Sequence, residues 1–271
     1  MISARPRVVL HIGFEKTGTK AIQYWLRDHE ALLAKHGFRF PRGWIRLNVH
    51  QELPLTLMRL DRLCMPREKG IEWHDAGWRS AVIEQVIDDL ERHRHMTTIL
   101  SSENLDLLRY DDEFEALREV IGDAAIVAYL RKPADWLIRL KEQYLHKSDI
   151  GVVLSTNPDA YNYLEPDSWR ADYLTLINKW QQHFSSVWTP SYEHRVQMDG
   201  SVIPSFLRHL WRLPVVDIDG YSLNRSGEPT PRAAGNRARG LRFGEPLPML
   251  AADADALLPP ETSAPAAASS S

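Results

Sequence analysis

The stretch that most constrains this chain lies near its start. Arg7–Ile12 reads RVVLHI and runs into Gly13-Phe14-Glu15-Lys16-Thr17-Gly18-Thr19-Lys20, after which a helical pattern begins. A short β-branched run with no polar alternation has the form of a strand buried on both faces of a parallel sheet. Glycines at 13 and 18 let the backbone wrap tightly without Cβ clashes. Where such a loop links a strand to a helix, successive N–H groups and the helix dipole converge on an anion. Strand, glycine pair, lysines, hydroxyls and helix together predict a phosphate-binding loop at the edge of an α/β sheet.

The rest of the body alternates in the same way. Thr17 to about Lys35 reads as helix, with Ile22, Trp25, Leu26, Leu32 and Leu33 on an apolar face, and a short strand lies around Phe38–Phe40. Val82, Ile83, Val86, Ile87 and Leu90 mark an amphipathic helix. Thr97–Ser101 is the next strand, and a helix over about Asp112–Val120 leads to the apolar strand Ala124–Leu130. Pro133 opens another helix, a position where proline is well tolerated. A helix over about Ser168–Phe184 and the strand Ser186–Thr189 follow. This order predicts an α/β, three-layer P-loop fold, with a central parallel sheet and helices on both faces. Ligands on such sheets sit beyond the carboxyl ends of the strands. That rule singles out the loops after Ile12, Ser101 and Leu130. Tryptophans such as Trp25 on amphipathic helices are read as core rather than as a sugar platform.

Composition narrows the functional classes. With 33 Lys+Arg against 36 Asp+Glu, the net charge is −3, which opposes a dedicated nucleic-acid partner but allows a local basic pocket. A single cysteine, Cys64, permits neither an internal disulfide nor a cysteine zinc cluster. No apolar run approaches the roughly 18 residues of a membrane helix. The chain reads as soluble and cytoplasmic, without a metal site. Residues 1–224 form the domain; 225–271, rich in Gly, Pro, Ser and Ala, read as a disordered tail.

The order of residues in the loop decides between phosphate chemistries. A nucleoside-triphosphate loop places lysine directly after the second glycine and a hydroxyl next, to hold Mg²⁺. Here Thr19 precedes Lys20, and a second lysine, Lys16, lies within the loop. A P-loop kinase using ATP and Mg²⁺ is therefore the alternative reading, and a degenerate nucleotide-binding relative without catalysis is a third. Lys16-Thr17-Gly18-Thr19 resembles the 5′-phosphosulfate loop of the sulfotransferase superfamily, whose form is K-[ST]-G-T after a buried strand. That resemblance implies a loop holding 3′-phosphoadenosine 5′-phosphosulfate (PAPS) through Lys16, Thr17, Gly18, Thr19 and Lys20, with no metal. It also implies that Lys16 supports the bridging oxygen as the sulfuryl group leaves.

Two further landmarks are similar to the same family, in its bacterial carbohydrate-acting branch. Ser101-Ser102-Glu103-Asn104-Leu105 ends a strand and places Glu103 at the cleft. Arg131, released at the end of a buried strand, matches the family's 3′-phosphate arginine. Where the family has serine about two helical turns on, this chain has Arg139, which can hold the same phosphate but is bulkier. The resemblance extends over about residues 6–225, with Ser186–Glu193 similar to a late strand and Asn224-Arg225-Ser226 to a closing loop. It implies transfer of a sulfuryl group to a hydroxyl on a small molecule, saccharide or glycolipid. Such a transfer needs a general base, and of eleven histidines His50 is the first choice, with Glu15 and Glu103 in reserve.

Overall fold

The computed structural model describes residues 7–42, 50–61, 75–139 and 172–211, with side chains to 208. The tail 225–271, the Asn224–Ser226 motif and the helix beyond Arg139 lie outside these residues. β1 (Val8–Ile12), β2 (Phe38–Arg39), β3 (Thr97–Ser102), β4 (Ala124–Ala128) and β5 (Ser186–Trp188) form one sheet in the order β2-β3-β1-β4-β5. Every pairing is parallel, with Ile12 in register with Ser102 on one side and Ala128 on the other. The predicted α/β architecture is the observed one.

The sequence of β1 explains why it lies at the centre. Val8, Leu10 and Ile12 point into one core and Val9 into the other, so successive side chains serve opposite faces. The first core is covered by α3 (Glu52–Leu57), α4 (Ala76–Arg92), α5 (Asp111–Ile121) and α7 (Tyr173–His183). The second is covered by α1 (Thr19–Asp28), α2 (Glu30–Lys35) and α9 (Ile203–Trp211). Residues 133–139 form α6, opened by Pro133, and α8 is Tyr192–Asp199.

Several boundaries differ from the sequence-based ones. The helix expected from Thr17 to Lys35 is two helices divided at His29, whose ring stacks on Trp25 at 4.2 Å and whose Nδ1 meets the Trp25 carbonyl. Strand β4 stops at Ala128, and Leu130 makes only an isolated parallel bridge with Ser191. On α4 the buried stripe is Val82, Val86 and Leu90, while Ile87 is 41% exposed. Trp25, Trp136 and Trp180 are all buried, as core residues. Among the described residues no helix is long and apolar enough to cross a membrane.

Candidate active site

The loops after β1, β3 and β4 meet at the carboxyl edge of the sheet. The first is fixed by backbone. Gly13 donates its N–H to the Ser102 carbonyl at 2.9 Å, tying the start of the loop to the end of β3. A Cβ at Gly13 would lie 2.4 Å from Thr19 Cγ2, so only glycine fits there. Thr17 and Thr19, both buried, donate their hydroxyls to the Phe14 carbonyl at 2.7 and 3.2 Å. The two threonines thus brace the turn from inside. Gly18 caps α1 at φ 80°, and a Cβ there would meet Val202 Cγ2 at 2.8 Å.

Lys16 is the only non-glycine among the described residues with a positive φ, 66°. A left-handed conformation costs a lysine about 1–2 kcal/mol and is kept where surrounding contacts over-determine it. One such contact is visible: Arg131 Nη1 donates to the Lys16 carbonyl at 2.9 Å. The residue after β4 therefore holds the backbone of the loop after β1. Lys16 is partly exposed, Lys20 is exposed on the first turn of α1, and no side chain caps the N-terminus of that ten-residue helix. Two left-handed residues, a helix N-terminus and the cations Lys16, Lys20 and Arg131 form a donor set suited to a phosphorylated anion. That set fits a phosphosulfate.

Arg131 has other partners. Its Nε lies 3.2 Å from Glu193 Oε1, and its guanidinium sits 4.8 Å from the Tyr192 ring centroid. Both residues belong to the first turn of α8, which is pinned to the strand end by Tyr192 N–H donating to the Leu130 carbonyl at 2.7 Å. The Ser186–Glu193 segment, expected as a late strand, is strand only over Ser186–Trp188; its last two residues open α8 and are the partners of Arg131. The signal available was the aromatic-acid pair Tyr192-Glu193 following a strand, and it does not specify which cation it meets. Arg139 lies on α6, partly exposed, two turns beyond Arg131.

Glu103 is partly exposed at the start of a 3₁₀ turn, Glu103–Leu107, directly after the Ser102 that anchors Gly13. Glu15 is also partly exposed, inside the loop. His50 takes a different position from that of an exposed base. It is 1% exposed. Its Nδ1 accepts from the Ser101 N–H at 3.0 Å, which leaves the proton on Nε2, donated to the Pro41 carbonyl at 3.1 Å. Its own N–H donates to the Ser101 carbonyl at 2.9 Å. Burial lowers its pKa to about 4. With both ring nitrogens committed to backbone, His50 clamps the segment after β2 to β3 and offers no lone pair to an acceptor hydroxyl.

A second buried histidine, missed as a polar site in the sequence, lies beneath the loop. His11 on β1 meets Ser101 Oγ through Nδ1 at 2.9 Å, and Gln23 Nε2 donates to the same hydroxyl at 3.1 Å. Ser101 Oγ, accepting from Gln23, can also donate to His11 Nδ1, and the His11 ring packs 5.4 Å from Phe206. Desolvation lowers the His11 pKa to about 3, and the ring stays neutral. The signal for it was there: a polar residue inside an otherwise apolar buried strand.

No family model matches the chain, and no curated protein matches it. Among solved structures, a sulfotransferase from Alicyclobacillus acidocaldarius is similar, with a TM-score of 0.50 and 15% sequence identity. The alignment covers 88% of this chain and 91% of that one. At that identity the likeness is one of fold alone.

Proposed function

We propose that the chain is a PAPS-dependent sulfotransferase acting on an acceptor hydroxyl. The observation that carries the reading is the hydrogen bond from Arg131 to the Lys16 carbonyl, which brings the two motifs similar to those of sulfotransferases into contact. In this reading Lys16, Thr17, Gly18, Thr19 and Lys20 hold the 5′ end of the nucleotide, and Arg131 with Arg139 holds its 3′-phosphate. The bound donor supplies the sulfuryl group. Lys16, on a backbone held in one conformation, balances charge on the oxygen that keeps the electron pair. Glu103, beside the anchored start of the loop, takes the proton of the acceptor hydroxyl. The hydroxyl belongs to a saccharide or glycolipid, a preference that rests on the resemblance of the Ser101–Leu105 segment, and the reaction runs in the cytoplasm without metal.

Calorimetric titration with 3′-phosphoadenosine 5′-phosphate, beside ATP with and without Mg²⁺, tests the reading. Metal-independent binding of the first, lost in Arg131→Ala, is the expected result. Binding of ATP alone, and only with Mg²⁺, would replace the sulfotransferase with a kinase. Binding of neither would overturn both.

A further inference from the structure

The contacts of Arg131 contain a conflict. Its Nη1 is used by the Lys16 carbonyl, and its Nε faces Glu193 at 3.2 Å without the alignment of a hydrogen bond. Both carboxylate oxygens of Glu193 are shielded from solvent, yet neither accepts a hydrogen bond in the structure. A carboxylate removed from water and given no donor is costly unless a charge compensates it. Here the compensating charge is Arg131. The backbone beneath Glu193 is fixed, because Ser191 caps α8 and Tyr192 is bonded to Leu130. A rotation of the Glu193 side chain is enough to exchange it for another anion.

We propose that Glu193 is an internal competitor for Arg131 and a specificity-determining residue of the nucleotide site. The proposal rests on the reading of Arg131 as the 3′-phosphate ligand. A 3′-phosphate carries more charge than a carboxylate and offers several acceptor oxygens, so it displaces Glu193 and gains the aligned hydrogen bonds that Glu193 lacks. A nucleotide without a 3′-phosphate leaves the Arg131–Glu193 pair in place. After transfer, Glu193 returns to Arg131 and limits how long the product nucleotide stays bound. Because Arg131 also holds the Lys16 carbonyl, the exchange takes place on the residue that links both ends of the site.

The test compares 3′-phosphoadenosine 5′-phosphate with adenosine 5′-phosphate by calorimetry and stopped-flow release. In Glu193→Gln, which keeps the shape and removes the charge, affinity for the 3′-phosphorylated nucleotide rises about tenfold, the size of one charged hydrogen bond. Its release slows by a similar factor, and adenosine 5′-phosphate binding is unchanged. Glu193→Ala gives the same direction and guards against an effect peculiar to glutamine. In an Arg131→Gln background, titrated at nucleotide concentrations high enough to read its residual affinity, Glu193→Gln gives no gain. A weaker 3′-phosphorylated complex in Glu193→Gln would mean that Glu193 orients Arg131 instead, and a gain that persists without Arg131 would mean general repulsion. Either result overturns the proposal while leaving the donor-site reading intact. Wild-type protein that binds neither nucleotide removes that reading, and this proposal with it.

Discussion

The loop after β1 and the arginine after β4 face the same space but are built in opposite ways. The loop is made of backbone: Gly13 bonded to Ser102, two threonine hydroxyls on one carbonyl, and left-handed residues at 16 and 18. Its donors are oriented before any ligand arrives. The Arg131 region is made of side chains, and its ion pair with Glu193 is a contact of charge without aligned hydrogen bonds. One region is preorganised and the other is exchangeable. Damage to the first should remove binding altogether, whereas changes in the second should act on the 3′-phosphorylated nucleotide and spare ligands that lack that phosphate.

The sharpest way to break that comparison is at Gly18. An alanine there must adopt φ 80° and push against Val202 at 2.8 Å. The strain and the overpacking together cost about 2–4 kcal/mol of stability, and nucleotide binding disappears because the cap of α1 is displaced. A melt and a titration on the same preparation check both. Retained binding in Gly18→Ala would mean that the loop is not preorganised by its backbone.

Lys16 separates the backbone contribution from that of the side chain. Arg131 bonds to the carbonyl of residue 16, a contact that Lys16→Ala keeps. Transfer should fall about 10²–10³-fold, the usual size of losing one charge-stabilising donor, while the fold survives. Lys16→Gly should lose transfer as well, yet melt higher, because relief of the left-handed strain outweighs the glycine entropy by about 0.5–1 kcal/mol. A lower melting temperature in Lys16→Gly would show that φ 66° carries no strain.

His50 tests the boundary between site and scaffold. Removing its ring leaves the Ser101 N–H and the Pro41 carbonyl without their partner. His50→Ala should therefore cost about 2–4 kcal/mol of stability. Slowed transfer with an unchanged melt would return His50 to the role of base. The pH dependence follows from the same burial. His50 and His11 have folded pKa values of about 4 and about 3, below the 6.5 of an exposed histidine. The unfolded chain binds more protons than the folded one in that window, so stability is full above pH 6.5 and declines as pH falls towards 4 and then 3. Each histidine contributes up to about 1.4 kcal/mol per pH unit, and an acid melt series of wild type and His50→Ala measures the share of His50.

The legible parts of the molecule are those whose determinants are local. RVVLHI, TTILS and AAIVAYL announce buried strands through composition alone, and the two glycines with Lys16 announce the loop. Other elements lack a local signal. Helix α3, ELPLTL, buries Leu53 through Leu57 without a break and so shows no amphipathic period, and it contains Pro54. Helix α8 buries no residue fully, and only Tyr192 and Val196, one turn apart, rest on the second core, too short a stripe in YEHRVQMD to mark an amphipathic helix. Helix α9 does carry a signal, since Ile203, Phe206 and Leu207 are spaced to share one face and are buried together. Glu193 was illegible as a site residue for a different reason. Its meaning depends on Arg131, which reaches it only through the parallel bridge between Leu130 and Ser191.

Arg139 offers the smallest and most discriminating change. It stands where the resemblance expects serine, partly exposed on α6, whereas Arg131 is bonded to the Lys16 carbonyl and faces Glu193. Charge near water is screened and contributes little, while the same charge in a confined site contributes more. Arg139→Ser should then weaken the 3′-phosphorylated nucleotide by only about threefold, within the range of an exposed charge pair, and leave adenosine 5′-phosphate and the melt unchanged. A loss as large as that of Arg131→Ala would make α6 a second rigid anchor, and the division into one preorganised and one exchangeable region would fail. A gain in affinity would show that the larger side chain crowds the phosphate, so that the exchangeable half of the site is tuned by size as well as by charge.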